Sequence, residues 1–205
     1  MQSIVMEEAR RARAVKRSHV LFAPLLVYGM LGGVYIGSHV SWSWFAWHPV
    51  LMLISCISMA ANGVLMKKKG GSRNTSMHGC LMAAASATML CGWYVIHTNK
   101  KIEGKPHFTS WHSRFGAVSA LGMLLLACTG MAWLFPQWGY RLKSASTRRW
   151  HRRSARIVLL LAFATCISGA LNLFHVSLFS APGASFASSI VCIAYFSLVE
   201  NAARV

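Results

Sequence analysis

Four stretches of the chain contain no charged side chain. Residues 18–66, 74–99, 115–140 and 157–199 hold no Asp, Glu, Lys or Arg, and they are 49, 26, 26 and 43 residues long. A helix that crosses the ~30 Å hydrocarbon core of a bilayer needs about 20 apolar residues, so the stretches have room for two, one, one and two such helices. None shows a polar face at the 3.6-residue period of a soluble helix. The pattern predicts an all-α membrane protein with six transmembrane helices.

Breaks in the apolar pattern set the limits of the six predicted spans. Pro49 suits the first turn of the second span, Pro136 stops the fourth, and the segment Ala181-Pro182-Gly183 separates the last two. The first span is too long for the core of a signal peptide and is predicted to be uncleaved. With no long linker, residues 1–205 are predicted to form a single transmembrane domain. The spans are predicted at about 20–37, 47–66, 76–97, 110–134, 149–175 and 184–201.

The positive charge of the chain is a signal of membrane topology. A net charge of +17 is typical of proteins that bind nucleic acid, but here the basic residues lie between the predicted spans. Alternate sides of the membrane receive 17 and four of the 21 Lys and Arg residues. By the positive-inside rule, both termini and the second and fourth connections are predicted to be cytosolic. No nucleic-acid partner is predicted.

The six cysteines predict neither a disulfide framework nor a zinc site. All of them lie inside the apolar stretches, and none has the C-x-x-C spacing. They are predicted to be small core residues.

Four of the nine histidines occupy the same structural position. His48, His78, His112 and His151 each lie at or near the start of a predicted span, and those spans are the consecutive helices two to five. Successive helices run in opposite directions, so His48 and His112 belong to the outer face, whereas His78 and His151 belong to the cytosolic face. Helices two to five are therefore predicted to form a four-helix bundle with one histidine pair at each end.

Paired imidazoles at the two ends of a bundle suit two stacked haems. Two axial imidazoles leave no open position on the iron, which favours one-electron transfer over oxygen activation. Basic residues near each pair could meet the haem propionates. A single histidine at a helix end is more commonly an interfacial polar residue, and small residues commonly serve helix packing. The ordered set of four is what favours haem.

The residues around these histidines resemble the cytochrome b561 family of transmembrane di-haem oxidoreductases. The segment Gly104-Lys105-Pro106-His107-Phe108 most resembles its domain-containing branch. The likeness extends over nearly the whole chain. The matching segments are Trp47-His48-Pro49-Val50, Met77-His78-Gly79, Phe108-Thr109-Ser110-Trp111-His112-Ser113 and Trp150-His151.

The resemblance implies two haem b groups, with His48 and His112 as ligands of the outer iron and His78 and His151 as ligands of the cytosolic iron. It implies cytosolic ascorbate as the electron donor and monodehydroascorbate or ferric iron as the acceptor. Homodimers are common in the family, and the branch suggests the endoplasmic reticulum or another intracellular vesicle membrane. The sequence departs from better-known members at Gly63–Lys69, which lacks an aromatic residue, and beside His112, where a Ser-Leu-His-Ser-Trp motif is altered.

Candidate substrate residues follow from charge and position. Lys67, Lys68, Arg73 and Arg152 are candidates for an anionic cytosolic donor, although topology anchors at a lipid surface explain the same pattern. His107 is the best outer candidate for the acceptor because it lies in the loop that leads to His112.

Two other functions are consistent with part of the pattern. A transporter could use the histidines to bind a metal ion directly, and a non-catalytic subunit would bind no pigment. The transporter is disfavoured because such sites usually include a carboxylate near the middle of the membrane, and the central spans hold no Asp or Glu.

Overall fold

A computed structural model of the chain describes residues 5–6, 24–38, 42–137, 144–175 and 187–194. These residues contain helices and no strand. The helices are α1 Pro24–Ser38, α2 Trp44–Lys69, α3 Ser72–Ile102, α4 Trp111–Leu134, α5 Ala145–Phe174 and α6, residues 187–194.

Helices α2 to α5 are long and apolar enough to cross a membrane, with 26, 31, 24 and 30 residues. The prediction of an all-α integral membrane protein is therefore confirmed. The described parts of the first and last predicted spans are also helical, as α1 and α6. The rest of those two spans, residues 20–23, 184–186 and 195–201, lies outside the described residues.

The helices extend beyond the apolar segments that predicted them. Helix α3 begins four residues before its predicted span and ends at Ile102; at about 1.5 Å per residue it is roughly 46 Å long. That exceeds the hydrocarbon thickness of about 30 Å, so its ends lie in the polar layers. Gly70 and Gly71, with φ of 76° and 81°, make the tight connection from α2 to α3. Helix α4 begins with a capping box between Ser110 and Ser113.

Helix α2 is the most enclosed of the four long helices. Its neighbour α1 approaches closely through Gly29, Gly33 and Gly37, and a methyl group at Gly33 would lie 3.2 Å from Cα of Val50. Small residues at this spacing let membrane helices pack backbone to backbone. The middle of α2, Ile54–Ala61, is π-helical.

The packing of α2 to α5 sets the positions of the histidines. Helix α2 packs against α3, α4 packs against α5, and contacts of α3 with α4 and of α2 with α5 join the two pairs. Because consecutive helices are antiparallel, the starts of α2 and α4 lie at one end and the starts of α3 and α5 at the other. We call these the His48 end and the His78 end.

Candidate functional site

A cavity of about 410 Å³ opens at the His48 end between α2, α3, α4 and α5. His48 and His112 both line it, with ring centroids 6.3 Å apart and ring planes at 89°. Most of the remaining lining is apolar. Cofactor pockets in proteins commonly have volumes of about 300–1,000 Å³, so the cavity is of a size to hold a cofactor between two imidazoles.

The ring spacing fits one metal ion bound from two sides. Imidazole nitrogens bind metals at about 2 Å, so two rings that share one ion have centroids roughly 6 Å apart. The described residues contain no group of three or more His, Cys, Asp or Glu side chains placed to hold a metal ion. A six-coordinate haem iron needs only two protein ligands, because the porphyrin supplies the other four.

Main-chain carbonyls orient both imidazoles of this cavity. His48 donates its Nδ1–H to the carbonyl of Gly92 on α3 at 2.9 Å, and His112 donates to the carbonyl of Thr165 on α5 at 3.1 Å. The Nδ1–H tautomer leaves the Nε2 lone pair free for a metal. Such bonds fix the ring and raise its basicity in metal sites. The pair is thus prepared for axial ligation.

A glycine gives the His112 ring its space. A methyl group at Gly169 on α5 would lie 2.6 Å from Cε1 of His112 and 3.1 Å from Nδ1. Real Cβ atoms essentially never make contacts this close. Gly169 therefore has to be glycine for His112 to keep its position against α5.

The second histidine pair lies at the His78 end. His78 donates Nδ1–H to the carbonyl of Gly63 on α2 at 2.8 Å, the reciprocal of the His48–Gly92 bond. His151 packs against Gly130 on α4, whose Cβ would lie 3.1 Å from the ring Cε1. His78 and His151 are close enough to interact electrostatically. His78 and His151 thus lie at the end of the bundle opposite His48 and His112.

A cluster of cations lies beside the second pair. Lys67 interacts electrostatically with His78, His151, Arg148 and Arg152. The chain has four acidic residues. Glu103 is the only one of them in the described part of the chain, and it lies in the loop between α3 and α4, at the His48 end. No acidic residue in the described part of the chain neutralises this Lys67 cluster, formed by Lys67, Arg148 and Arg152.

The other predicted donor residues lie nearby but outside this cluster. Lys68 is half-buried on the last turn of α2, and Arg73 is exposed on the first turn of α3. Lys67 Nζ donates to Thr75 Oγ1 at 2.7 Å, which ties the end of α2 to the start of α3. Their roles as donor contacts stay predictions.

The mouth of the cavity at the His48 end carries a stack of rings. His107 stacks on His97 with centroids 4.5 Å apart and planes at 14°, and His97 stacks on Trp93 at 5.1 Å. All three residues line the cavity. The sequence favoured His107 because it lies in the loop that leads to His112, and nothing in the pattern shows that this loop folds back over His97.

Lysine and arginine side chains surround this mouth. The Nζ atom of Lys105 lies 2.7 Å from Glu103 Oε2, and this ammonium group lowers the pKa of the Glu103 carboxyl. Lys105 is thereby neutralised. Lys100 lines the cavity and interacts electrostatically with His112, while Arg114 lies on the first turn of α4. The entrance is positively charged.

Apolar helices long enough to span a membrane, with two histidines that face each other at a cavity, define an integral membrane protein with a candidate cofactor site. Comparison with known proteins supplies the family: the model of the eukaryotic cytochrome b561 family matches residues 47–177. The chain belongs to this family, which binds haem b. It is a transmembrane oxidoreductase.

Three relatives resemble the chain over almost its whole length. The transmembrane reductase CYB561D2 of Bos taurus is 25% identical over 206 residues, which cover 95% of this chain and 90% of the relative. The protein of that name in Mus musculus is 26% identical over 203 residues, with the same coverages of 95% and 90%. That of Homo sapiens is 25% identical over 203 residues, 94% of this chain and 89% of the relative. The prediction of the domain-containing branch is confirmed.

Proposed function

We propose that the chain transfers electrons from cytosolic ascorbate to an acceptor on the other side of the membrane, either monodehydroascorbate or ferric iron. Helices α2 to α5 would hold two haem b groups, with His48 and His112 as ligands at the outer end and His78 and His151 as ligands at the cytosolic end. The observation that carries the proposal is the facing pair His48 and His112, 6.3 Å apart across a cavity. Bound haem supplies reversible one-electron chemistry without an open coordination site.

The neighbours of the histidines orient the imidazole rings and limit the access of water to the cavity. Carbonyl acceptors hold His48, His78 and His112 with Nε2 free. The mostly apolar lining of the cavity limits contact of a bound group with water, and a haem held by two imidazoles would supply one-electron transfer rather than oxygen chemistry. These residues therefore restrict the site to electron transfer.

Basic residues support the proposed orientation. The His78 end carries the basic turn Lys67, Lys68 and Lys69 together with Arg148 and Arg152. By the positive-inside rule this is the cytosolic end. Both termini are then cytosolic.

The Lys67 cluster is the proposed contact for ascorbate. Ascorbate is an anion at neutral pH, and Lys67, Arg148 and Arg152 offer it charge-assisted hydrogen bonds beside His78 and His151. Lys68 and Arg73 add positive charge on adjoining turns. The donor would thus bind next to the cytosolic histidine pair.

The ring stack at the His48 end is the proposed contact for the acceptor. His107 and His97 stand at the cavity entrance with ring nitrogens that can bind a metal ion or donate to an oxidised ascorbate. Lys100 adds a positive charge there. An acceptor at this entrance would lie beside His112.

Substitutions at the two ends should affect the two substrates separately. In purified protein with haem bound, Lys67→Gln is expected to raise the KM for ascorbate roughly tenfold, because a hydrogen bond to a charged group is worth about 1.5 kcal/mol. His107→Phe keeps a ring in the stack and removes its nitrogens, so it should raise the acceptor KM alone. Steady-state reduction of monodehydroascorbate and of a ferric chelate measures both.

Arg149→Gln is the matched control for Lys67→Gln, because it removes the same charge from the exposed first turns of α5. It should leave the ascorbate KM within twofold of wild type. Equal effects of the Lys67 and Arg149 substitutions would contradict a donor site at the Lys67 cluster.

A further inference from the structure

The end of α4 lies against α3 directly beside His78. The ring of Phe135 packs on Gly79, the residue that follows His78, and a methyl group at Gly79 would lie 2.7 and 2.8 Å from Cε2 and Cδ2 of that ring. Phe135 is buried, with 7% of its surface exposed. An aromatic side chain therefore covers the His78 turn of α3 on the side that faces α4.

A π-helical turn brings Phe135 to this position. The segment Gly130–Leu134 is π-helical, and residues five apart follow one another along the same face of a π helix. Phe135 comes five residues after Gly130, so it lies on the face that Gly130 presents, one turn nearer the end of α4. Gly130 contacts the His151 ring. One face of α4 thus meets both His151 and the turn of α3 that carries His78.

A proline and a side-chain hydrogen bond fix the end of α4. Phe135 precedes Pro136 and has the extended conformation that a residue before proline prefers, with φ of −66° and ψ of 131°. Two residues further on, Gln137 Nε2 donates to Ser76 Oγ at 2.8 Å. Ser76 lies about one turn of α3 before Gly79. The bond therefore joins α4 to α3 nearer the surface than the Phe135 ring.

The α2 side of the same turns carries positive charge. Lys67 Nζ donates to Oγ1 of Thr75 on α3 at 2.7 Å and interacts electrostatically with Arg148 and Arg152 on α5. The start of α3 is thus bordered on one side by the Lys67 cluster and on the other by an apolar contact with α4. A donor that approaches past Lys67 meets cations, whereas the α4 side presents a buried ring.

We propose that Phe135 determines which donors the chain accepts. It closes the His78 end between α3 and α4, so that an electron donor reaches His78 and His151 only past the Lys67 cluster. The proposal rests on the proposed function, because it presupposes a donor at this end. Its consequence is selection by charge, since a cation-lined approach raises the encounter rate of an anion about tenfold or more and gives an uncharged donor no such advantage.

Removal of the ring should open a second approach that does not pass the Lys67 cluster. Rapid mixing of the purified holoprotein compares haem reduction by ascorbate, an anion, with reduction by N,N,N′,N′-tetramethyl-p-phenylenediamine, an uncharged one-electron donor. Phe135→Ala is expected to raise the rate with the uncharged donor several-fold relative to the rate with ascorbate. Lys67→Gln should slow reduction by ascorbate less in the Phe135→Ala protein than in the wild-type protein.

Phe115→Ala is the matched control, because it removes the same ring from α4 at the His48 end, where Phe115 lies outside the lining of the cavity. It should leave the ratio of the two rates within twofold of wild type. An unchanged ratio in Phe135→Ala, an equal rise in Phe115→Ala, or the full effect of Lys67→Gln in the Phe135→Ala protein overturns the proposal and leaves the proposed function intact. Wild-type protein that ascorbate does not reduce would instead refute the proposed function.

The contact of Phe135 with Gly79 is tested without any electron donor. Gly79→Ala places a methyl group against the ring and is expected to lower the temperature of thermal unfolding of the purified protein. In the Phe135→Ala protein the ring is gone, so the same substitution should have a clearly smaller effect. Equal effects in the two backgrounds would show that Phe135 does not cover the His78 turn. Phe135→Leu serves in both experiments if the alanine variant does not fold, with the same directions of change.

Discussion

His48→Ala and His112→Ala are expected to remove one and the same haem, and His78→Ala and His151→Ala the other. Each substitution would delete one of two histidine ligands, and the described residues contain no group of three or more His, Cys, Asp or Glu side chains that could supply another. Haem content per chain should fall from two to one in each variant. Absorption and electron paramagnetic resonance spectra of the four purified variants distinguish which haem is lost.

His175→Ala is the matched control for these variants. His175 is exposed, directly follows the last residue of α5, and lies outside the lining of the cavity at the His48 end. This variant should keep both haems. Loss of the same haem from all four ligand variants, or from the pair His48→Ala and His78→Ala, would contradict the pairing.

Gly169→Ala should weaken the outer haem site without removing a ligand. The added methyl group would lie 2.6 Å from Cε1 of His112, so the ring must move away from α5 and lose its bond to the Thr165 carbonyl. Loss of such a supporting contact typically costs about 10–100-fold in metal affinity. The outer haem should therefore dissociate first when purified protein is incubated with apomyoglobin as a haem acceptor.

Gly32→Ala is the control for Gly169→Ala. Its methyl group would lie 3.9 Å from the nearest side-chain atom, Cδ1 of Leu53, and Gly32 does not line the cavity at the His48 end. Haem release from this variant should match wild type. A Gly169→Ala protein that releases both haems at the wild-type rate would show that Gly169 does not set the position of His112.

The helices and the histidine pairs could be predicted because each rests on one strong physical rule. Charge-free stretches are required of spanning helices, and α2 to α5 all appear where such stretches lie. The antiparallel course of consecutive helices then determines which histidines share an end. His48 and His112 meet for this reason, although 63 residues separate them in the chain.

Contacts that depend on helix register could not be predicted. The acceptors of the histidine bonds are carbonyls of Gly63, Gly92 and Thr165, and every residue has a carbonyl, so composition carries no signal for them. The π-helical turn beside His151 likewise leaves no mark in the pattern. Only the glycines themselves were visible in the sequence, where small residues commonly serve helix packing.

The Lys67 cluster and the ring stack at the cavity mouth could be predicted in part. Charge alone predicted Lys67 and Arg152 among several equivalent cations, and only the packing of α2 against α3 and α5 brings them together. His97 became a partner of His107 because the loop after α3 folds over the cavity. Their proximity to the histidine pairs distinguishes these residues from others of the same type that only mark the membrane topology.

The most direct test of the central claim is the haem content of the purified wild-type chain. We expect two haem b groups per chain, both low-spin with two histidine ligands, and reduction of both by ascorbate in the absorption spectrum. One haem, none, or a high-spin iron with an open coordination position would contradict a relay built on His48 with His112 and His78 with His151.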